Sequence, residues 1–221
     1  SGYEGGRVYG NAQATVRNGQ VDWFLSGGGW NDKKIVGNVG VTVYDGVINA
    51  SMGASYGASS DHIVTGNSNN IVYGGDFSGT PREGTNGFSG GITNVGSLLG
   101  NANLTIDLRN YNREFKLPSG TSISGGVPYN GTTNLGTDDS NTITLNIYTK
   151  PGSDVLNGAA IYGDGARTSS YTKSGKIIMN IQATGSSIGN LYATNYGNAP
   201  TTGLLRDVEI NLQGAKTING L

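Results

Sequence analysis

The chain contains no cysteine, one histidine, five prolines and few charged residues. Each scarcity excludes something. Without cysteine there is no disulfide framework, no thiolate metal site and no thiol nucleophile. Charged side chains make up 13% of the chain and nearly cancel to a net charge of −1, so the electrostatic attraction that drives most nucleic-acid binding is missing. No apolar run approaches the ~18 residues of a membrane-spanning helix. The first residues, Ser1-Gly2-Tyr3-Glu4-Gly5-Gly6, lack the basic and apolar regions of a signal peptide. Nucleic acid and membrane insertion are therefore not expected.

What is abundant is small and polar. Gly (39), Asn (25), Thr (21) and Ser (20) account for 105 of 221 residues, a composition that disfavours helices throughout. Glycine costs backbone entropy, and the short polar side chains compete for backbone hydrogen bonds. Disorder is countered by 12 tyrosines and many Val and Ile residues, which disordered chains generally lack.

A degenerate repeat organises this material. Apolar and polar residues alternate in Val39-Gly40-Val41-Thr42-Val43, Leu104-Thr105-Ile106-Asp107-Leu108, Ile143-Thr144-Leu145-Asn146-Ile147, Ile177-Ile178-Met179-Asn180-Ile181 and Val208-Glu209-Ile210-Asn211-Leu212, with Ala14-Thr15-Val16 as a weaker copy. Alternation at period two marks strands with one buried face. Setting Ile106, Leu145, Met179 and Ile210 equivalent gives steps of 39, 34 and 31 residues, and the 65 residues from Val41 to Ile106 leave room for one divergent copy. A second short strand is expected after each glycine-containing turn, at Val21, Val47-Ile48, Val155-Leu156, Ile188 to Leu191 and Ile218 to Leu221. Tyr-Gly recurs at Tyr9, Tyr56, Tyr73, Tyr162 and Tyr196, where a tyrosine ladder at one corner is expected.

Short strands, glycine corners and repeats that cannot bury their own apolar faces predict an all-β fold: a β-solenoid, or β-helix, of about six to seven rungs with long loop insertions. The alignment predicts an outward polar column of Asp107, Asn146, Asn180 and Asn211, in which stacked amides hydrogen-bond along the rod. Residues 1–221 read as one solenoid domain, excised from a longer surface protein because neither end looks capped.

The alternating strands leading to Val72-Tyr73-Gly74-Gly75 or Ile161-Tyr162-Gly163-Asp164-Gly165 resemble the β-solenoid, pectate-lyase-like binding regions of Gram-positive cell-wall-anchored adhesins, such as those of lactobacilli and streptococci. That resemblance implies a non-catalytic adhesive module at the bacterial cell surface, anchored through other regions and binding host or bacterial glycans, mucin or matrix proteins. It implies a monomer within a longer chain and supplies no binding residue. The alternatives are a polysaccharide lyase or glycoside hydrolase on a β-helix, or a passive stalk.

Two stretches, 57–100 and 109–140, interrupt the rung pattern and are expected to project as loops, where a rigid scaffold tolerates variation. The densest mixture of charge and aromatic rings gives the candidate ligand-binding residues Arg109, Tyr111, Arg113, Glu114 and Lys116, with Trp30 added beside a flexible Ser-Gly-Gly-Gly stretch. Rings offer faces to sugar C–H groups, and Arg and Asn offer donors to hydroxyls or carboxylates. A solvated loop plugged by Phe115 and Leu117 is the simpler reading of the same stretch. His62, in Asp61-His62, reads as an exposed bystander in a polar loop. Arg82-Glu83 and Asp138-Asp139 supply no clear acid–base or calcium constellation, so no catalytic residue, metal or cofactor is expected.

Overall fold

The computed structural model describes residues 6–28, 33–57, 61–79, 87–118, 120–126, 132–135, 141–164, 176–193 and 207–220. Among these there are strands and turns but no helix. The strands stack in parallel, each on its counterpart about 30 to 40 residues away, which is the connectivity of a β-solenoid. A long face contains seven strands: Ala12–Val16, Val39–Val43, Ser68–Val72, Ala102–Asp107, Thr142–Tyr148, Lys176–Gln182 and Asp207–Gln213. A second face is also seven strands deep, from Phe24–Ser26 through Gly87–Ser89 and Ser187–Tyr192 to Thr217–Gly220. The third includes Arg7–Tyr9, Lys34–Val36, Ile63–Val64, Ile92–Leu98 and Thr132–Leu135.

Alternation does on these faces what it predicts. Along Thr142–Tyr148 the odd positions Ile143, Leu145 and Ile147 are buried and their neighbours face outward, and Lys176–Gln182 repeats the pattern. The inward files meet in one apolar core as far as Lys176–Gln182; in Asp207–Gln213 the inward-file residues Val208, Ile210 and Leu212 are 38 to 40% exposed, so the core expected there is not closed over them. The missing copy is Ser68–Val72, paired with both Val39–Val43 and Ala102–Asp107. It is hard to recognise because Asn70 occupies an inward position. Its amide is satisfied there, accepting from the Val41 N–H at 3.0 Å and donating to the Ser89 carbonyl at 2.5 Å. A buried amide with both ends bonded avoids the desolvation penalty of an orphaned polar group.

Registers of the last three copies follow the sequence alignment, with Leu145, Met179 and Ile210 in one file and Ile147, Ile181 and Leu212 in the next. The earlier copy is displaced by two residues: Leu104 pairs with Leu145 and Ile106 with Ile147. A shift of two keeps every side chain on its own face, so hydrophobic pattern cannot detect it. The polar column therefore begins with Thr105, and Asp107 sits opposite Tyr148. The amide ladder itself is present. Asn146 Nδ2 donates to Thr105 Oγ1 at 3.2 Å, Asn180 to Asn146 Oδ1 at 2.8 Å and Asn211 to Asn180 Oδ1 at 2.9 Å.

A second asparagine ladder lies at the corner leading into the long face. In Gly10-Asn11, Gly37-Asn38, Gly66-Asn67 and Gly100-Asn101, each Asn Oδ1 accepts the backbone N–H of the next rung, to Asn38, Asn67, Asn101 and Thr142, at 2.8 to 2.9 Å. The partners are 27, 29, 34 and 41 residues apart, the same separations as the strand pairs Ala12 with Val39, Val39 with Ser68, Ser68 with Ala102 and Ala102 with Ile143. Glycine is required beside it at Gly37, whose φ is +144° and where a Cβ would lie 2.4 Å from the Gly10 carbonyl oxygen.

Three further expectations change. The 57–100 stretch contains strands of all three faces rather than one projecting insertion, and 109–140 likewise includes Ser122–Ser124 of the second face and Thr132–Leu135 of the third. Val155-Leu156 lies in a turn with Leu156 buried, not in a strand. The described Tyr-Gly pairs fall on different faces, so they form no single ladder; tyrosines stack instead as Tyr44 on Tyr73 (5.2 Å) and Tyr162 on Tyr192 (5.1 Å).

Candidate functional site

The long face presents three outward files. The first runs Gln13, Gly40, Asn69, Asn103, Thr144, Ile178, Glu209; the second Thr15, Thr42, Ile71, Thr105, Asn146, Asn180, Asn211. The third, at the strand ends, continues from Asp107 to Tyr148, Gln182 and Gln213, with Tyr44 and Tyr73 following the earlier strands.

The 109–116 loop leaves the end of Ala102–Asp107 and rejoins the rod at Lys116, which bridges to Asp76 below Val47. Two apolar residues fasten it: Phe115 is buried against Phe77 at 5.7 Å, and Leu117 packs on the core. Its polar residues are also tied down. Tyr111 lays its ring over Gly74, where a Cβ would come within 2.1 Å of it, and donates its hydroxyl to Asp45 Oδ1 at 2.8 Å. Arg113 pairs with the other oxygen of Asp45, and Lys116 with Asp76 at 3.2 Å, with Glu114 3.9 Å away. Arg109 forks onto Asp107 through Nε at 2.8 Å and Nη2 at 2.6 Å while its guanidinium lies 4.5 Å from the Tyr148 ring centre.

These contacts bring five of the six sequence candidates, Arg109, Tyr111, Arg113, Glu114 and Lys116, onto one flank; Trp30 lies outside the described residues, as do Arg82-Glu83, Asp138-Asp139 and Tyr196. Asp45 and Asp76, which complete the flank, are separated by many tens of residues from the loop they hold, and no local motif announces them.

Electrostatically the flank is self-compensating. The hydrogen bond from Tyr111 holds the Asp45 carboxyl below the usual carboxylate range, helped by the Gly46 N–H and Arg113 against a partial desolvation. Ser78 does the same for Asp76, and Arg109 for Asp107. The Tyr111 hydroxyl is pushed up, first by burial and then by Asp45. Carboxylates held ionised by donors are poor general acids. Among the described residues no group of three or more His, Asp or Glu is placed to hold a metal ion. His62 is not an exposed bystander: it is fully buried, with Nε2 3.0 Å from the equally buried Ser55 Oγ. The buried pair fastens the residue just before Ile63–Val64 to the strand Ser55–Gly57, out of reach of solvent. Gly96 makes room for it, since a Cβ there would lie 2.7 Å from the His62 carbonyl oxygen.

Beyond Tyr148 the outer face opens into a groove of about 410 Å³, lined by Tyr148, Asn180, Gln182, Asn211 and Gln213 with Ile181, Ile210 and Leu212. It contains one aromatic ring and four amides drawn from three successive strands, and no charged residue. Sequence reading missed it because the 31- and 34-residue separations conceal the neighbourhood; the paired Asn180/Gln182 and Asn211/Gln213 spacing is the signal that marks it. No protein-family model, curated protein or solved structure matches the chain.

Proposed function

We propose that the chain is a non-catalytic binding module of a bacterial surface adhesin, taking a glycan or glycoprotein on the outer flank formed by the 109–116 loop and the adjoining end of the long face. The observation that carries this reading is a surface on which tyrosine rings, amides and a fastened Arg/Tyr loop, its charges largely paired, converge from distant parts of the chain. A preorganised surface loses little freedom when a ligand settles on it, which favours recognition. The family resemblance is what supports an extracellular setting, with attachment to the cell wall through other regions of a longer protein.

The test is binding of the soluble chain to glycan arrays, mucin and extracellular-matrix proteins. Saturable binding to at least one class is expected. Background signal on all three, together with unchanged bacterial adhesion after deletion of the domain, overturns the reading.

A further inference from the structure

We infer that the groove beside Tyr148 is a binding site for neutral, uncharged saccharide units, with selectivity against acidic glycans; this rests on the binding-module reading and specifies its ligand. The argument begins with what lines the groove. Asn180, Gln182, Asn211 and Gln213 occupy equivalent positions on two adjacent strands, so their amides form a two-by-two array. Each side-chain amide carries two N–H donors and a carbonyl with two acceptor positions in one plane. The Asn180 and Asn211 amides are orientated by the ladder, Asn180 donating to Asn146 and accepting from Asn211. Anchored amides suit sugar hydroxyls, each of which both donates and accepts.

Tyr148 supplies the apolar component. Arg109 covers its ring from the turn just after Asp107, whereas the groove extends over the two strands that follow Thr142–Tyr148. By contrast, the Tyr44 ring is in contact with both of its neighbours along the rod, the Arg17 guanidinium 4.7 Å away and the Tyr73 ring at 5.2 Å. The groove spans two interstrand spacings, roughly 10 Å along the rod, which matches about two pyranose rings. Its volume falls in the range of small-ligand sites.

Charge decides the class of sugar. An acidic glycan needs a cation or a forked guanidinium at the site. No charged residue lines the groove, and two cations elsewhere on this face are paired: Arg109 with both oxygens of Asp107, and Lys176 with Glu209. A carboxylated or sulfated sugar would therefore exchange water for amides alone, while a neutral sugar sacrifices no ionic solvation.

The experiment is titration calorimetry and saturation-transfer NMR of the full chain with neutral linear oligosaccharides (glucan, galactan and mannan tetrasaccharides) and acidic ones (oligogalacturonate and sulfated oligosaccharides). At least one neutral series should bind, with affinity changing less than twofold between low and high salt. Gln182→Ala/Gln213→Ala and, separately, Tyr148→Ala should each weaken binding at least tenfold, while Lys34→Ala, on the third face, leaves it unchanged. Circular dichroism confirms that the variants fold, and the glutamine pair is outward-facing, so its result stands if Tyr148→Ala unfolds. Binding restricted to acidic glycans, or neutral-sugar binding indifferent to the glutamine pair, overturns this assignment while the binding module survives. Failure to bind any glycan, mucin or matrix protein removes the module reading and this inference with it.

Discussion

Asn180 is the link on which the outward amide ladder can be tested most directly. Asn180→Ala deletes its donation to Asn146 Oδ1 (2.8 Å) and its acceptance from Asn211 Nδ2 (2.9 Å). An intramolecular hydrogen bond contributes about 0.5–1.5 kcal/mol net, so two contribute about 1–3 kcal/mol. Two features move the expectation toward the lower half of that range. Asn211 Nδ2 keeps Glu209 Oε1 at 3.0 Å, and Asn180 is only half-buried, so water replaces part of what is lost. Strand preference hardly contributes, since Asn and Ala are both poor strand residues. A loss of about 1–2 kcal/mol is expected, measured by urea denaturation followed by circular dichroism. Because rungs couple to their nearest neighbours, amide exchange should accelerate first in Lys176–Gln182 and Asp207–Gln213. A double-mutant cycle with Asn211→Ala should return a coupling of about 0.5–1.5 kcal/mol. If Asn180→Ala is neutral within about 0.3 kcal/mol and the cycle shows no coupling, the stacked amides contribute no stability and the reasoning fails.

Arg113 is mostly exposed and its pairing with Asp45 is screened by solvent, so Arg113→Ala should change denaturation stability by less than about 0.5 kcal/mol. Tyr111→Ala should cost about 1–3 kcal/mol, because it uncovers Gly74 and removes one of the donors to Asp45, which keeps the Gly46 N–H and Arg113; the reverse order would contradict the anchoring role given to Tyr111. Acidification provides a third check. Asp45, Asp76 and Asp107 are all depressed, so their stabilisation is fully present above their unfolded value near 4 and is lost as pH falls through the lower folded values. Amide exchange in residues 109–116 should stay constant from pH 7 to about 5, after correction for intrinsic rate, and rise only below about 4; loosening near neutrality would refute the assignment. Finally, Gly125→Ala places a Cβ 2.3 Å from the Gly163 carbonyl oxygen of the next rung, and should lower stability by at least about 1–3 kcal/mol in the same denaturation assay.

Local chemistry was enough to specify the repeat. Period-two alternation at Ile143 to Ile147 or Ile177 to Ile181 admits only a strand with one buried face, and glycine- and asparagine-rich joints leave no helix to compete. The registers of the last three copies follow because their apolar residues coincide. Even the corner ladder is written locally, as Gly-Asn at 10, 37, 66 and 100, although its meaning depends on knowing that successive corners stack. What tertiary structure decided is how non-adjacent polar groups meet. Thr105 rather than Asp107 heads the amide column because a two-residue slip leaves burial unchanged, so only the paired backbones distinguish the registers. His62 is buried because the rod closes over it and Ser55 accommodates its ring. Arg109, Tyr111, Arg113, Glu114 and Lys116 were conspicuous as a cluster, but their partners Asp45 and Asp76 come from earlier rungs, and the groove draws Tyr148, Gln182 and Gln213 from three strands. A solenoid converts separation along the chain into stacking along the rod, and side-chain pattern within one rung contains no record of which polar residues will lie above it.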